Sequence, residues 1–150
     1  MKHEEKERRK EDFESWITFL PDKIHQLKKV HLNEISNKLD FSVESLLELE
    51  SYLLSKFNFE DMNKIENKSL IDCLAAYVGS TFKKNWESSY WDIDLDDAEQ
   101  LYFGVPVLKF KDKALPPVSP YHTITTAMDR KKGDLMSLVL KRTKDRLLQS

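Results

Sequence analysis

Apolar residues recur at three- and four-residue steps along most of this chain. Phe13, Trp16, Ile17, Leu20, Ile24 and Leu27 form one helical face. Pro21 interrupts it, which predicts a kink or two abutting helices. Residues 1–12 alternate in charge sign without an apolar face and read as a frayed helix start or a disordered tail. Residues 30–39 carry no decisive period. Ser42 suits an N-cap and Glu44 a first helical turn, followed at helical spacing by Val43, Leu46, Leu47, Leu53, Leu54 and Phe57. Residues 58–67 read as a loop. Leu70, Ile71, Leu74, Ala75, Val78 and Phe82 then predict a central, buried helix ending near Asn85. Gly79, inside it, costs about 1 kcal/mol relative to Ala and suggests the close approach of another backbone.

The period then changes to two. Trp91, Ile93 and Leu95 alternate with Asp92, Asp94 and Asp96, and residues 101–111 are rich in β-branched and aromatic side chains. A hairpin follows, with Leu95 expected opposite Tyr102. That register puts Trp91, Ile93, Leu95, Tyr102, Leu108 and Phe110 on one face and Asp92, Asp94, Phe103, Val107 and Lys109 on the other. Pro106 cannot donate to a ladder, so its strand is expected at an edge or bulged there. Leu115-Pro-Pro-Val-Ser-Pro reads as a stiff connector, with Ser119 as N-cap and Pro120 at the first helical position. A helix to about Met128 follows. Gly133-Asp134 then reads as a stop and a new N-cap, ahead of a C-terminal amphipathic helix through Leu135, Leu138, Val139 and Leu147. The expected fold class is α+β in one domain over residues 1–150: a helical N-terminal half, an antiparallel β-hairpin or small sheet near 89–111, and two C-terminal helices.

Composition narrows the function classes. The chain has 150 residues, 33% of them charged, and a formal net charge of −2. That gives no bulk attraction to nucleic acid or anionic lipid. No apolar run approaches the ~20 residues of a membrane span, and the charged start lacks a signal-peptide core, so a cytoplasmic location is expected. One cysteine, Cys73, excludes an intramolecular disulfide and a multi-cysteine metal site. Three glycines, far apart, exclude Gly-rich phosphate loops.

The densest chemistry lies in the sheet. From Glu87 to Leu108 there are six acids and no Lys or Arg. Asp92-x-Asp94-x-Asp96-Asp97 resembles the opening of a calcium loop, but the positions that require Gly and a final Glu hold Asp97 and Phe103. No metal and no cofactor is therefore expected. Residues 130–150 hold seven bases against two acids. That basic helix either neutralises the acidic hairpin or forms a separate surface. It lacks interleaved aromatics, which argues against nucleic acid. His3, His25, His31 and His122 have no helical metal-pair spacing, and no neighbouring residues complete a nucleophile–base set. Cys73, amid apolar neighbours, reads as an inert small hydrophobe. No catalytic residue is assigned.

Two passages carry a resemblance: Leu39-Asp-Phe-Ser-Val-Glu-Ser-Leu-Leu-Glu-Leu-Glu, and Tyr77-Val-Gly through Trp91 with Tyr102-Phe-Gly-Val-Pro and Gly133-Asp-Leu. Over residues 38–140 the chain resembles small uncharacterised bacterial domains akin to polymorphic-toxin immunity proteins. The resemblance implies a bacterial cytosolic protein with a protein partner and carries no catalytic motif. The function expected is a non-enzymatic binding protein, of immunity type, that meets a basic partner with its acidic strand and loop. Asp92, Asp94, Asp96, Asp97 and Glu99 would supply charge, and Tyr90, Tyr102 and Phe103 contact area. The alternatives are a metal-assisted hydrolase using the Asp92–Asp97 carboxylates, and a regulatory subunit with an oligomer interface.

Overall fold

A computed structural model describes residues 1–149. Its helices are α1 (His3–Thr18), α2 (Leu20–Gln26), α3 (Val43–Lys56), α4 (Lys68–Asn85), α5 (Pro120–Arg130) and α6 (Leu135–Gln149). Two short strands, β1 (Ser89–Asp92) and β2 (Val107–Phe110), pair antiparallel. The class is α+β and mostly helical, with two C-terminal helices as expected. The charged start is helical from His3.

Local signals account for several boundaries. The N-terminal face breaks at Phe19 into two abutting helices, and Pro21 occupies the first turn of α2, where a missing N–H costs nothing. A π-turn (Leu27–His31) and a 3-10 turn (Asn33–Lys38) carry the chain through residues 30–39. Ser42 caps α3 by accepting from Ser45 N at 3.0 Å, and Ser119 caps α5 by accepting from His122 N at 3.1 Å, with Pro120 next. The segment 58–67 holds two 3-10 turns.

Helix α4 is the spine. Leu74, Ala75, Ala76, Tyr77, Val78 and Phe82 are fully buried, and α2, α5, α6 and β2 pack around it. Gly79 makes room for side chains rather than for a backbone. A Cβ there would lie 2.2 Å from the Trp91 indole and 2.9 Å from the Pro120 ring. Trp91 is held in place by an edge-on contact with Trp16, ring centres 5.1 Å apart.

The sheet is shorter than the alternation predicts, and its register differs. Trp91 lies opposite Leu108 and Asp92 opposite Val107. The expected pairing of Leu95 with Tyr102 is displaced by two residues. An even slip keeps every side chain on its expected face, so Trp91 shares a face with Leu108, and Asp92 lies near Lys109. Residues 93–106 form a loop broader than the connection over 96–101 that the expected pairing implies. Asp94 starts it: its side chain accepts from Asp96 N at 3.0 Å and its carbonyl from Gly104 N at 2.8 Å. Pro106 stands just outside β2, where its missing donor breaks no ladder. The proline-rich connector bridges back, Leu108 and Val118 exchanging both backbone bonds at 2.9 Å.

Helix α6 is capped from a distance. Gly133-Asp134 marks its start, but its first amides are met by Glu50 of α3. The Glu50 oxygens accept from Leu135 N at 3.0 Å and Met136 N at 2.9 Å. Glu50 is fully buried.

Candidate functional site

The acidic segment supplies the partner-binding residues expected from sequence, and the structure divides them. Asp92 binds Lys109 Nζ at 2.9 Å, the natural partner of a carboxylate on the same face of the adjacent strand. Asp96 binds Lys6 of α1, and Lys6 holds the Asp96 carboxyl below its ordinary range through hydrogen bonding and charge. Phe103 lies under the Arg9 guanidinium, 5.9 Å from the ring centre. Tyr102 leans against His122, ring centres 5.5 Å apart. Tyr90 is 37% exposed beside this set.

The bases that neutralise this segment therefore come from α1 and β2, not from the C-terminal helix. Helix α6 packs on α3 and α5. Its Lys141, Arg142, Lys144 and Arg146 are exposed and, among the described residues, make no ion pair within 4.0 Å.

Asp94, Asp97 and Glu99 have no such cation either. Asp97 Oδ1 accepts from Glu99 N at 3.0 Å, and Gln100 N donates to Asp97 O at 3.0 Å. These bonds fix the loop tip in one shape. At its apex Leu101 is 78% exposed. Leu101 was not among the residues expected from sequence, because a leucine after a β-like run reads as the start of a strand.

A polar knot joins four helices nearby. Asp72 of α4 accepts from Trp16 Nε1 at 2.8 Å and Tyr121 OH at 2.5 Å on one oxygen, and from Lys23 Nζ at 2.6 Å on the other. Burial alone would raise the Asp72 carboxyl; the bonds from Lys23, Tyr121 and Trp16 and the Lys23 charge outweigh it and hold it below its ordinary value. Burial and the bond to Asp72 push the Tyr121 hydroxyl far up. Every group has a partner, so the knot reads as a clamp rather than a poised acid or base. Because the folded carboxyl is depressed, its contribution is complete above the unfolded pKa of about 3.9 and is lost as pH falls through the lower folded value. Asp72→Asn is expected to cost about 1–3 kcal/mol at neutral pH. That difference should shrink below about pH 4; denaturant titrations of both proteins across acid pH check it.

Cys73, behind this knot, is buried, and its thiol is pushed up by burial and by Asp72, which favours the unreactive thiol. Among the described residues no three His, Cys, Asp or Glu side chains converge as a metal-ligand set, and no helix is long and apolar enough to cross a membrane.

A second site carries no local sequence signature. Between α2 and α4 lies a groove of about 730 Å³ lined by Ile17, Leu20, Ile24, Phe41 and Trp91. Its polar rim is Lys28, Lys83, Lys84, His25 and Ser80, with no carboxylate. The Lys28 and Lys84 ammonium groups sit 5.3 and 4.8 Å from the centre of the Phe41 ring. Phe41 has φ +65°, which a bulky side chain adopts at a cost of about 1–3 kcal/mol. It is pinned there: its N–H donates to Tyr77 OH at 3.0 Å, and Asn85 Nδ2 donates to its carbonyl at 3.2 Å. The Tyr77 hydroxyl in turn donates to Ser45 at 2.7 Å.

No protein-family model, no curated protein and no solved structure matches the chain.

Proposed function

We propose that this chain is a non-enzymatic binding protein, of immunity type, that docks a basic protein partner on the tip of its acidic segment, Asp97–Leu101. One observation carries the reading: Leu101 is 78% exposed beside Asp97 and Glu99, whose carboxylates have no cation partner among the described residues. An apolar anchor flanked by charge gives a partner both contact area and steering. The loop's own hydrogen bonds hold that arrangement in advance, which lowers the ordering cost of binding. Asp94, Tyr90 and Tyr102 extend the surface, whereas Asp92, Asp96 and Phe103 are engaged by Lys109, Lys6 and Arg9. The hydrolase alternative gains nothing from this geometry, since Asp92 and Asp96 are held by separate lysines and, among the described residues, no three carboxylates converge.

The test uses a partner captured with the wild-type protein and then purified. Neutralising Asp97 and Glu99 together is expected to slow association and flatten its salt dependence, because exposed charges act over about 8–10 Å at ordinary ionic strength. Leu101→Ala is expected to speed dissociation instead. Unchanged rates in both variants, with melting curves matching wild type, would remove the tip from the interface.

A further inference from the structure

The groove between α2 and α4 has chemistry unlike the acidic tip. Three lysines rim it and no acid lines it; the Asp40 carboxylate, beside Phe41, feels the Lys28 charge but makes no ion pair with it within 4.0 Å among the described residues. None of the three makes an ion pair within 4.0 Å among the described residues. Two of them crowd one aromatic ring. A ring face offsets part of their mutual repulsion, but an anion between them would offset far more.

The charge is confined to one end. Lys28, in the π-turn that follows α2, and Lys84, near the end of α4, both reach Phe41. At the other end Trp91 lies against Gly79, more than one helical turn back along α4 from Lys84. Ile17 and Leu20 line the same groove from α1 and α2. The cleft thus runs from a cationic mouth to an apolar floor. Its volume falls within the ordinary range for small-molecule sites, about 300–1,000 Å³. Apart from Ser80 the floor offers little to a polar heterocycle, which disfavours a nucleotide.

We propose that this groove binds a small amphiphilic anion: an acyl chain ending in a carboxylate. The carboxylate sits between the Lys28 and Lys84 ammonium groups, on the side away from the Phe41 ring. The chain runs past Ile24 and Leu20 toward Trp91. The strained backbone of Phe41 is the device that holds its ring at the mouth, because a relaxed φ would swing it away from the two lysines.

The probe is dodecanoate below its micellar concentration, titrated into the full chain by calorimetry. One saturable site per chain is expected, weakening as salt rises. Affinity should grow with chain length from octanoate to dodecanoate, by up to about fourfold per methylene. Dodecyltrimethylammonium, with the same tail and the opposite head, should not bind. Changing Lys28 and Lys84 together to Gln, at positions where neither is buried, should weaken dodecanoate by about tenfold or more without shifting the melting temperature. Equal binding of the cationic analogue would overturn the proposal, as would an unchanged affinity in the double variant. Sedimentation with phosphatidylglycerol vesicles in the absence of any affinity for free dodecanoate would also overturn it, since the lysines would then serve a membrane surface. The acidic tip plays no part in these outcomes, so either site stands or falls alone.

Discussion

Glu50→Ala is expected to destabilise the protein by about 3–5 kcal/mol, a large share of the roughly 5–15 kcal/mol that holds a domain of this kind together. The first amides of any helix lack an internal acceptor, and those of α6 at Leu135 and Met136 are met by the two Glu50 oxygens at 3.0 and 2.9 Å. Met136 is fully buried, as is Glu50, so water cannot take over that bond without opening the structure; the Leu135 bond is part-buried. Each buried donor left without a partner costs about 1–3 kcal/mol, and the truncated side chain leaves a cavity as well. The positive end of the α6 dipole also loses the carboxylate that faces it. Glu50→Gln fits the space but presents an amide donor to one of the two N–H groups, so it should recover only part of the loss. Chemical denaturation measures the stabilities, and hydrogen exchange at Leu135 and Met136 locates the damage. A cost below about 1 kcal/mol for Glu50→Ala would mean that α6 is not anchored through this carboxylate.

The same residue shows what a sequence can and cannot reveal. Glu50 falls on the apolar face of α3, between Leu46 and Leu53, so its burial is legible as an anomaly. Its partners lie 85 and 86 residues away, and no local pattern points to them. Boundaries set by neighbours are legible: the caps at Ser42 and Ser119 and the break before Pro21 all follow from nearby residues. Strand faces are legible because the period of two survives an even slip, whereas the register itself depends on the loop. There Asp94 turns the chain early and closes the loop onto Gly104. The acidic segment is visible as charge, but its cations at Lys6 and Lys109 are set by tertiary packing. The groove is the least visible feature. Its lysines come from the π-turn after α2 and from α4, and the φ of Phe41 goes against the ordinary preference of its side chain.

Trp86→Ala is expected to cost about 3–5 kcal/mol, the range for truncating a large buried aromatic. Trp86 follows α4, is fully inaccessible, and ties three elements together. Its ring stacks on Phe82 of α4 with centres 4.6 Å apart and tilts against Phe110 of β2 at 5.5 Å. Its indole N–H donates to the Leu140 carbonyl of α6 at 3.1 Å. The packing and the hydrogen bond can be weighed separately. Leu140 lies inside α6, where the helix supplies its carbonyl with an N–H donor of its own, so losing the indole bond alone costs only about 0.5–1.5 kcal/mol. The stacked area carries the rest. Trp86→Phe keeps most of that area and loses the donor, so it should retain well over half of what Trp86→Ala removes. At roughly 2–4 °C per kcal/mol for a chain of this size, the Ala variant should melt on the order of 10 °C lower and the Phe variant only a few degrees lower. Equal losses would assign the stability to the single bond at Leu140 and leave the aromatic stack between α4 and β2 with little weight.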